Sequence, residues 1–161
     1  MKIEIVVYSE TGKTLQLAEL VRDKLSGDGH QVGLTRLQTS APFDSKHMLP
    51  MDKIEFTNLP DVGAADCVLV GGPVWAFRSC PAAKKAIRDL GPQIKGKKFL
   101  PFVTHAFPFD WMAGTWSANG MGRVARNQGA DVLSGVVLSG SGKKDRSNYN
   151  LVAEKIRDTL K

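Results

Sequence analysis

Cysteine is scarce in this chain. Cys67 and Cys80 are the only two among 161 residues, too few for a disulfide framework. Cys67 lies inside an apolar run and reads as a small core residue. Long apolar runs are missing as well: no segment approaches the ~18 consecutive apolar residues of a membrane span. The N-terminus, MKIEIVVYS, has one lysine and a short apolar stretch broken by Glu4, so it reads as a strand and not as a secretory signal. Together these absences argue against a stapled secreted scaffold or a membrane protein, and for a reducing, cytoplasmic setting.

Acidic residues are outnumbered, 16 against 22 Lys and Arg, for a net charge of +6. The excess bunches at Arg78, Lys84, Lys85, Arg88, Lys95, Lys97 and Lys98, with Asp89 alone opposing it. Such a stretch is either a solvated helix face or a landing surface for an acidic protein or an anionic ligand. No RNA- or DNA-binding motif accompanies the charge, so nucleic acid is not expected. Repeats, low-complexity tracts and domain linkers are also absent, and residues 1–161 read as a single domain.

What is present is an alternation of strand and helix. Ile3 to Tyr8 is β-branched and reads as the first strand. From Thr14, residues Leu15, Ala18, Val21 and Leu25 recur at helical spacing, and Gly27 and Gly29 end that helix. His30 to Leu37 alternates apolar and polar as a half-buried second strand. A long connection follows through Pro42, Pro50 and Pro60. Cys67 to Gly72 is the continuous apolar run of a central parallel strand, ending in glycines. Pro81 suits the first position of a helix carrying Ala83, Ala86, Ile87 and Leu90, which Gly91-Pro92 stops. Lys98 to Thr104 is the fourth strand, with Pro101 an awkward member of its ladder. A helix is expected between Trp116 and Gln128, then a fifth strand over Asp131 to Leu138. Ser147 would cap a last helix with Tyr149, Val152, Ala153, Ile156 and Leu160 on one face.

This order predicts an α/β fold of three layers, α/β/α, around a five-stranded parallel sheet. Ligands in such sheets bind beyond the carboxyl ends of the strands. Three loops leave those ends: Ser9 to Thr14, Gly71 to Cys80, and Thr104 to Thr115.

The first loop, Ser9-Glu10-Thr11-Gly12-Lys13-Thr14, ends like a nucleotide-hydrolase phosphate loop. That loop needs an additional glycine five positions before Gly12, and position 7 is Val7, inside the strand. The third strand also ends in glycines instead of a magnesium-binding Asp. Receiver domains of response regulators need an acidic pair after the first strand, where only Glu10 stands. Anion-binding physics survives both exclusions. A loop that opens a helix presents unpartnered N–H groups and the positive end of the helix dipole. Ser9, Thr11 and Thr14 add short hydroxyls, and Gly12 lets the backbone come close. The same residues would also make an ordinary helix start.

The loop resembles the flavodoxin family, whose phosphate loop reads Ser/Thr-x-Thr-Gly-Asn-Thr after the first strand; Lys13 takes the Asn position here. The resemblance implies sheet order 2-1-3-4-5, in the short form that lacks an insertion in the fifth strand, and FMN as cofactor. It implies that the phosphate is held by residues 9 to 14. It places Gly72, Pro73, Val74, Trp75, Ala76 and Phe77 against the flavin ring, with Trp75 stacking on it or simply packing. Ala76 and Phe77 stand where the family's carriers often have Gly. Thr104, His105 and Phe107 correspond to the remaining flavin-contacting loop. There, Phe107, Phe109, Trp111 and Trp116 either wall the ring or cover core, and His105 either donates to a flavin carbonyl or is a satisfied polar residue. The resemblance implies an electron-transfer protein with redox partner proteins, acidic ones among them, or an NAD(P)H-dependent quinone reductase of the wider flavodoxin-like group. No metal ligand set and no catalytic side chain is expected. Cys80 precedes Pro81 at a helix start, where the dipole would lower a thiol pKa; it is either redox-active or inert.

Overall fold

The computed structural model describes residues 1–109, 111, 113–141 and 146–161. Asp110 and Met112 of the aromatic loop, and residues 142–145 of the SGSGKKD stretch, lie outside them.

The first strand, β1 (Lys2–Val7), runs into helix α1 (Lys13–Gly27) and returns as β2 (Gln31–Arg36). After the long connection come β3 (Cys67–Trp75), a two-residue β4 (Arg78–Ser79) and helix α2 (Pro81–Leu90). Strand β5 (Lys98–Thr104) and helix α3 (Gly114–Asn127) follow. Two short strands, β6 (Asp131–Val132) and β7 (Val136–Leu138), precede helix α4 (Ser147–Thr159). The sheet order is β2-β1-β3-β5-β6, with β7 also on β5 and β4 on β3. All pairings are parallel except that of β4. Seven strands therefore fill five positions, because β6 and β7 share one edge and β4 is a short return of β3.

Alternation along the strands sends side chains to two cores. Ile3, Ile5 and Val7 of β1 pack with Leu17, Val21 and Leu25 of α1 and Tyr149, Ala153 and Ile156 of α4. Val6 faces the other way, with Ala83 and Ile87 of α2 and Met121 and Ala125 of α3. Strand β3 is buried over its first six residues, as its unbroken apolar run requires. Edge strand β2 is only half-buried, as its polar alternation requires.

Four expectations need correction. The stretch from Gly71 is not a loop, because β3 continues to Trp75, pairing β5 as far as Pro73 and then turning back on β4. The glycines thin the strand instead of ending it. A Cβ on Gly71 would overlap the Phe102 ring, and one on Gly72 would stand 2.9 Å from the Ala83 Cβ. Second, the fifth strand is split between Val132 and Val136. Its register against β5 gains one residue across the gap, from Phe99↔Val132 to Phe102↔Val136. This bulge accommodates Pro101. Phe99 accepts from the Leu133 N–H and the His105 N–H donates to Leu138, so alternation turns the N–H-less nitrogen of Pro101 toward that same edge, where no ladder bond is made. Third, α3 starts at Gly114, two residues before Trp116. A Cβ there would press on Val137 and His105, so the helix end can approach the sheet only as glycine. Fourth, Ser147 is the first residue of α4 and not its cap; Arg146 holds the cap position, with its guanidinium 4.7 Å above the Tyr149 ring.

Gly71→Ala forces a methyl group into the Phe102 ring. Overpacking of this kind costs about 1–3 kcal/mol, so urea unfolding should show a lower midpoint. The double variant with Phe102→Leu should recover part of the loss.

Candidate functional site

Loop 9–14 is set by Gly12, which caps α1 with φ +89°, a conformation that L side chains rarely adopt. Ser9 Oγ accepts from the Leu15 N–H at 3.2 Å, and the Gln16 N–H donates to the Gly12 carbonyl at 2.9 Å. Ser9 keeps its own proton to donate elsewhere. The Arg36 guanidinium donates to the Ser9 carbonyl at 2.6 Å. The first turn of α1 carries no acidic residue and no side-chain cap, so its positive dipole end stays uncompensated there.

The buried Oγ1 atoms of Thr14 and Thr104 lie 2.8 Å apart, one hydroxyl donating to the other. This contact joins the start of α1 to the end of β5. Between them opens a polar cavity of about 120 Å³. It is lined by Ser9, Glu10, Thr11, Lys13 and Thr14 from the first loop, Pro73, Val74 and Trp75 from the second, and Thr104, His105, Ala106 and Ser141. Ten of the expected residues thus converge on one site. Gly12 and Gly72 shape the backbone behind it, and Ala76, Phe77 and Phe107 lie beyond its wall. Glu10 is the one carboxylate on the described lining, and it accepts from the Ser45 hydroxyl at 3.1 Å.

Trp75 is half-buried. Its ring meets Tyr8 edge-on at 5.7 Å and Phe43 at 5.4 Å, so it both packs on the core and borders the cavity. Ala76 and Phe77 follow with φ +46° and +63°, forming the two-residue turn between β3 and β4. Both positive values define the hairpin turn that normally takes Asn-Gly, so its residues hold a strained conformation. Phe77 stacks on Phe107 with centroids 5.1 Å apart and planes 14° from parallel. Phe109 and Trp111 stack in the same way at 5.8 Å. Phe107, Phe109, Trp111 and Trp116 are all exposed, Trp116 to 79%. Their exposure speaks against the reading that they cover core. His105 is buried, with Nε2 3.2 Å from Ser139 Oγ.

Ser141, Ala106 and Arg36 were missed as site residues. Ala106 and Ser141 stand just beyond the carboxyl ends of β5 and β7, and Arg36 is the last residue of β2, positions that the sheet order alone marks. Ser141 lacked a motif, and its N–H bond to the His105 carbonyl at 2.9 Å is a tertiary fact. The basic stretch is partly spent within the chain: Lys85 pairs with Asp89 at 2.6 Å, and Lys97 donates to the carbonyls of Gly63 and Ala65.

Burial pushes the Cys80 thiol up to about 12, overriding the hydrogen bonds from the Ala82 and Ala83 N–H groups. Cys80 is also fully buried against the core, which favours the inert reading, since the thiolate is the reactive form and needs access. Burial also raises Cys67 to about 12 and Tyr8 above its usual value. These shifts fix a pH dependence. The unfolded thiols ionise near 9.0, the folded ones near 12. The unfolded state therefore loses protons first, and stability is complete below pH 9 and declines between 9 and about 12. Chemical denaturation across that window should show the decline, with a shallower slope in Cys67→Ala/Cys80→Ala. A native protein that reacts rapidly with maleimide at pH 7 would contradict the assignment.

No family model matches the chain, and no curated protein matches it. Solved structures do. An FMN-complexed flavoprotein from Lactobacillus acidophilus superposes with a TM-score of 0.69 at 20% identity, covering 99% of both chains. A Streptococcus pneumoniae flavodoxin gives 0.67 at 19% identity, over 99% of this chain and 97% of its own. An NAD(P)H:quinone oxidoreductase from Methanothermobacter marburgensis gives 0.64 at 16% identity, over 98% and 96%. The chain has the flavodoxin-like α/β fold. Among the described residues, no helix is long and apolar enough to cross a membrane.

Proposed function

We propose that the chain is an FMN-binding electron-transfer protein. The observation that carries this reading is the polar cavity of about 120 Å³ where the ends of β1, β3 and β5 meet. It fits a phosphate on three counts. Its lining offers hydroxyls from Ser9, Thr11, Thr14, Thr104 and Ser141, it lies at a helix start with no acidic residue in its first turn, and Gly12 adopts a left-handed conformation beside it. Lys13 adds a positive charge, while Ser45 holds the Glu10 carboxylate. The neighbour from Lactobacillus acidophilus, solved in complex with FMN, supports the same cofactor.

When bound, FMN supplies the redox chemistry through its isoalloxazine ring. The chain's part is to hold and orient. Loop 9–14 takes the phosphate, and Thr104 braces Thr14 from the opposite strand end. Trp75, Ala76, Phe77, Phe107 and His105 border the space toward the ring. An acidic redox partner would meet the exposed Arg78 beside the site, whereas the exposed Lys95 and Lys98 stand at the opposite, amino end of β5.

FMN should bind at micromolar concentration with quenching of flavin fluorescence, and riboflavin, lacking the phosphate, should bind far more weakly. Thr11 is exposed and makes no side-chain hydrogen bond among the described residues, so Thr11→Ala should weaken FMN about tenfold without lowering Tm. Equal affinity for FMN and riboflavin would sink the phosphate assignment.

One observation favours a second reading, an NAD(P)H-dependent quinone reductase. A cavity of about 780 Å³ opens between the β3–β4 hairpin and α3, in the size range of small-molecule sites. Stopped-flow mixing of the FMN-loaded protein with NADPH separates the two. The carrier reading expects slow bleaching that a partner reductase accelerates; rapid bleaching by NADPH alone establishes the enzyme.

A further inference from the structure

The large cavity is lined by Ala76, Phe77, Arg78, Ser79, Lys84, Trp111, Ala113, Trp116 and Ser117. It shares Ala76 and Phe77 with the residues placed toward the flavin ring but none of the residues of the phosphate cavity. Its mouth and floor differ in chemistry. The mouth is aromatic, with Phe77 58%, Trp111 72% and Trp116 79% exposed. The floor holds two buried hydroxyls, Ser79 at 5% and Ser117 at 3% exposure. Neither Oγ has a hydrogen-bond partner among the described residues. Leaving a buried hydroxyl unmet is costly, and two on one cavity floor point to a polar group that completes them.

Among the described residues, the charge at this place has one sign. Lys84 is half-buried and forms no ion pair among the described residues. Its Nζ would lie 3.5 Å from a Cβ on Gly120, and Ser79 Oγ 4.0 Å from the same point. Ammonium and hydroxyl therefore converge above α3 where Gly120 leaves space. Arg78 stands at the rim. The described lining contains no carboxylate, and α3 begins beside it with no acidic residue in its first turn and no side-chain cap.

We propose that this cavity is a second ligand site, for a planar aromatic carboxylate. The flat body would lie against the Trp111, Trp116 and Phe77 rings, which prefer offset or edge-on aromatic partners. The carboxylate would accept from Lys84, Ser79 and Ser117, meeting both hydroxyls and the ammonium together. A neutral aromatic would leave the ammonium unpaired, and a non-aromatic anion would forgo the walls. This site does not rest on the FMN assignment.

Isothermal titration of the whole protein with 2-naphthoate, with and without FMN, tests it. Naphthoate should bind at one site, and its neutral isostere 2-naphthamide at least tenfold more weakly. Lys84→Met should lose about tenfold in naphthoate affinity or more, and Lys84→Arg should retain most of it. Ser117→Ala should weaken naphthoate too, while keeping or raising the Tm of the ligand-free protein, because it removes an unmet hydroxyl. Flavin fluorescence should show FMN affinity unchanged in Lys84→Met. Absence of naphthoate binding, equal binding of the amide, or an unaltered affinity in a folded Lys84→Met protein overturns the proposal. So does displacement of naphthoate by FMN, which would give the cavity to the flavin ring. Failure of FMN to bind leaves the naphthoate result standing and counts only against the flavin reading.

Discussion

The hydroxyl contact between Thr14 and Thr104 is the constraint on which the candidate site depends. It ties the start of α1, the helix that follows β1, to the end of β5, and β3 lies between β1 and β5 in the sheet. Both partners are buried, so the bond is protected from competing water. Both residues line the small cavity, so the bond holds two sides of its wall together. The left-handed Gly12 and the Ser9–Leu15 bond fix the loop on one side of that clasp. The hairpin at Ala76–Phe77 closes the other.

The two cavities divide the chemistry between them. The small one offers hydroxyls and a helix start, a setting for a compact dianion. The large one offers aromatic walls over an ammonium and two unmet hydroxyls, a setting for a flat body with one charged end. The strained turn at Ala76 and Phe77 belongs to the wall between them. Strain in such places persists only where the surroundings over-determine it. Here the antiparallel pairs Val74↔Ser79 and Trp75↔Arg78 and the Phe77–Phe107 stack supply that determination.

Much of the fold was legible because its signals are local. The β-branched run of β1, the spacing of Leu15 to Leu25, and Pro81 at a helix start each speak for a single element. Loop 9–14 was legible for the same reason: its residues are contiguous and their chemistry is that of a helix start. What escaped depends on neighbours distant in sequence. Gly71 and Gly72 looked like a strand end, yet they are glycines because Phe102 and Ala83 need the room. The break in the fifth strand answers Pro101, some thirty residues earlier. The dipole at Cys80 argued for a reactive thiol, and burial against the core outweighed it. Ser79, Lys84 and Ser117 meet only when α2 and α3 pack, so no spacing marks them as a group.

The bulged edge formed by β6 and β7 has a bearing on how this protein behaves among copies of itself. An exposed strand edge is a template on which another chain can add, and long regular edges invite such pairing. Here the edge is two short pieces of two and three residues, out of step by one residue across the gap. An incoming strand could match either piece but not both. The interruption that lets a proline sit inside β5 therefore also guards this side of the sheet against intermolecular strand addition.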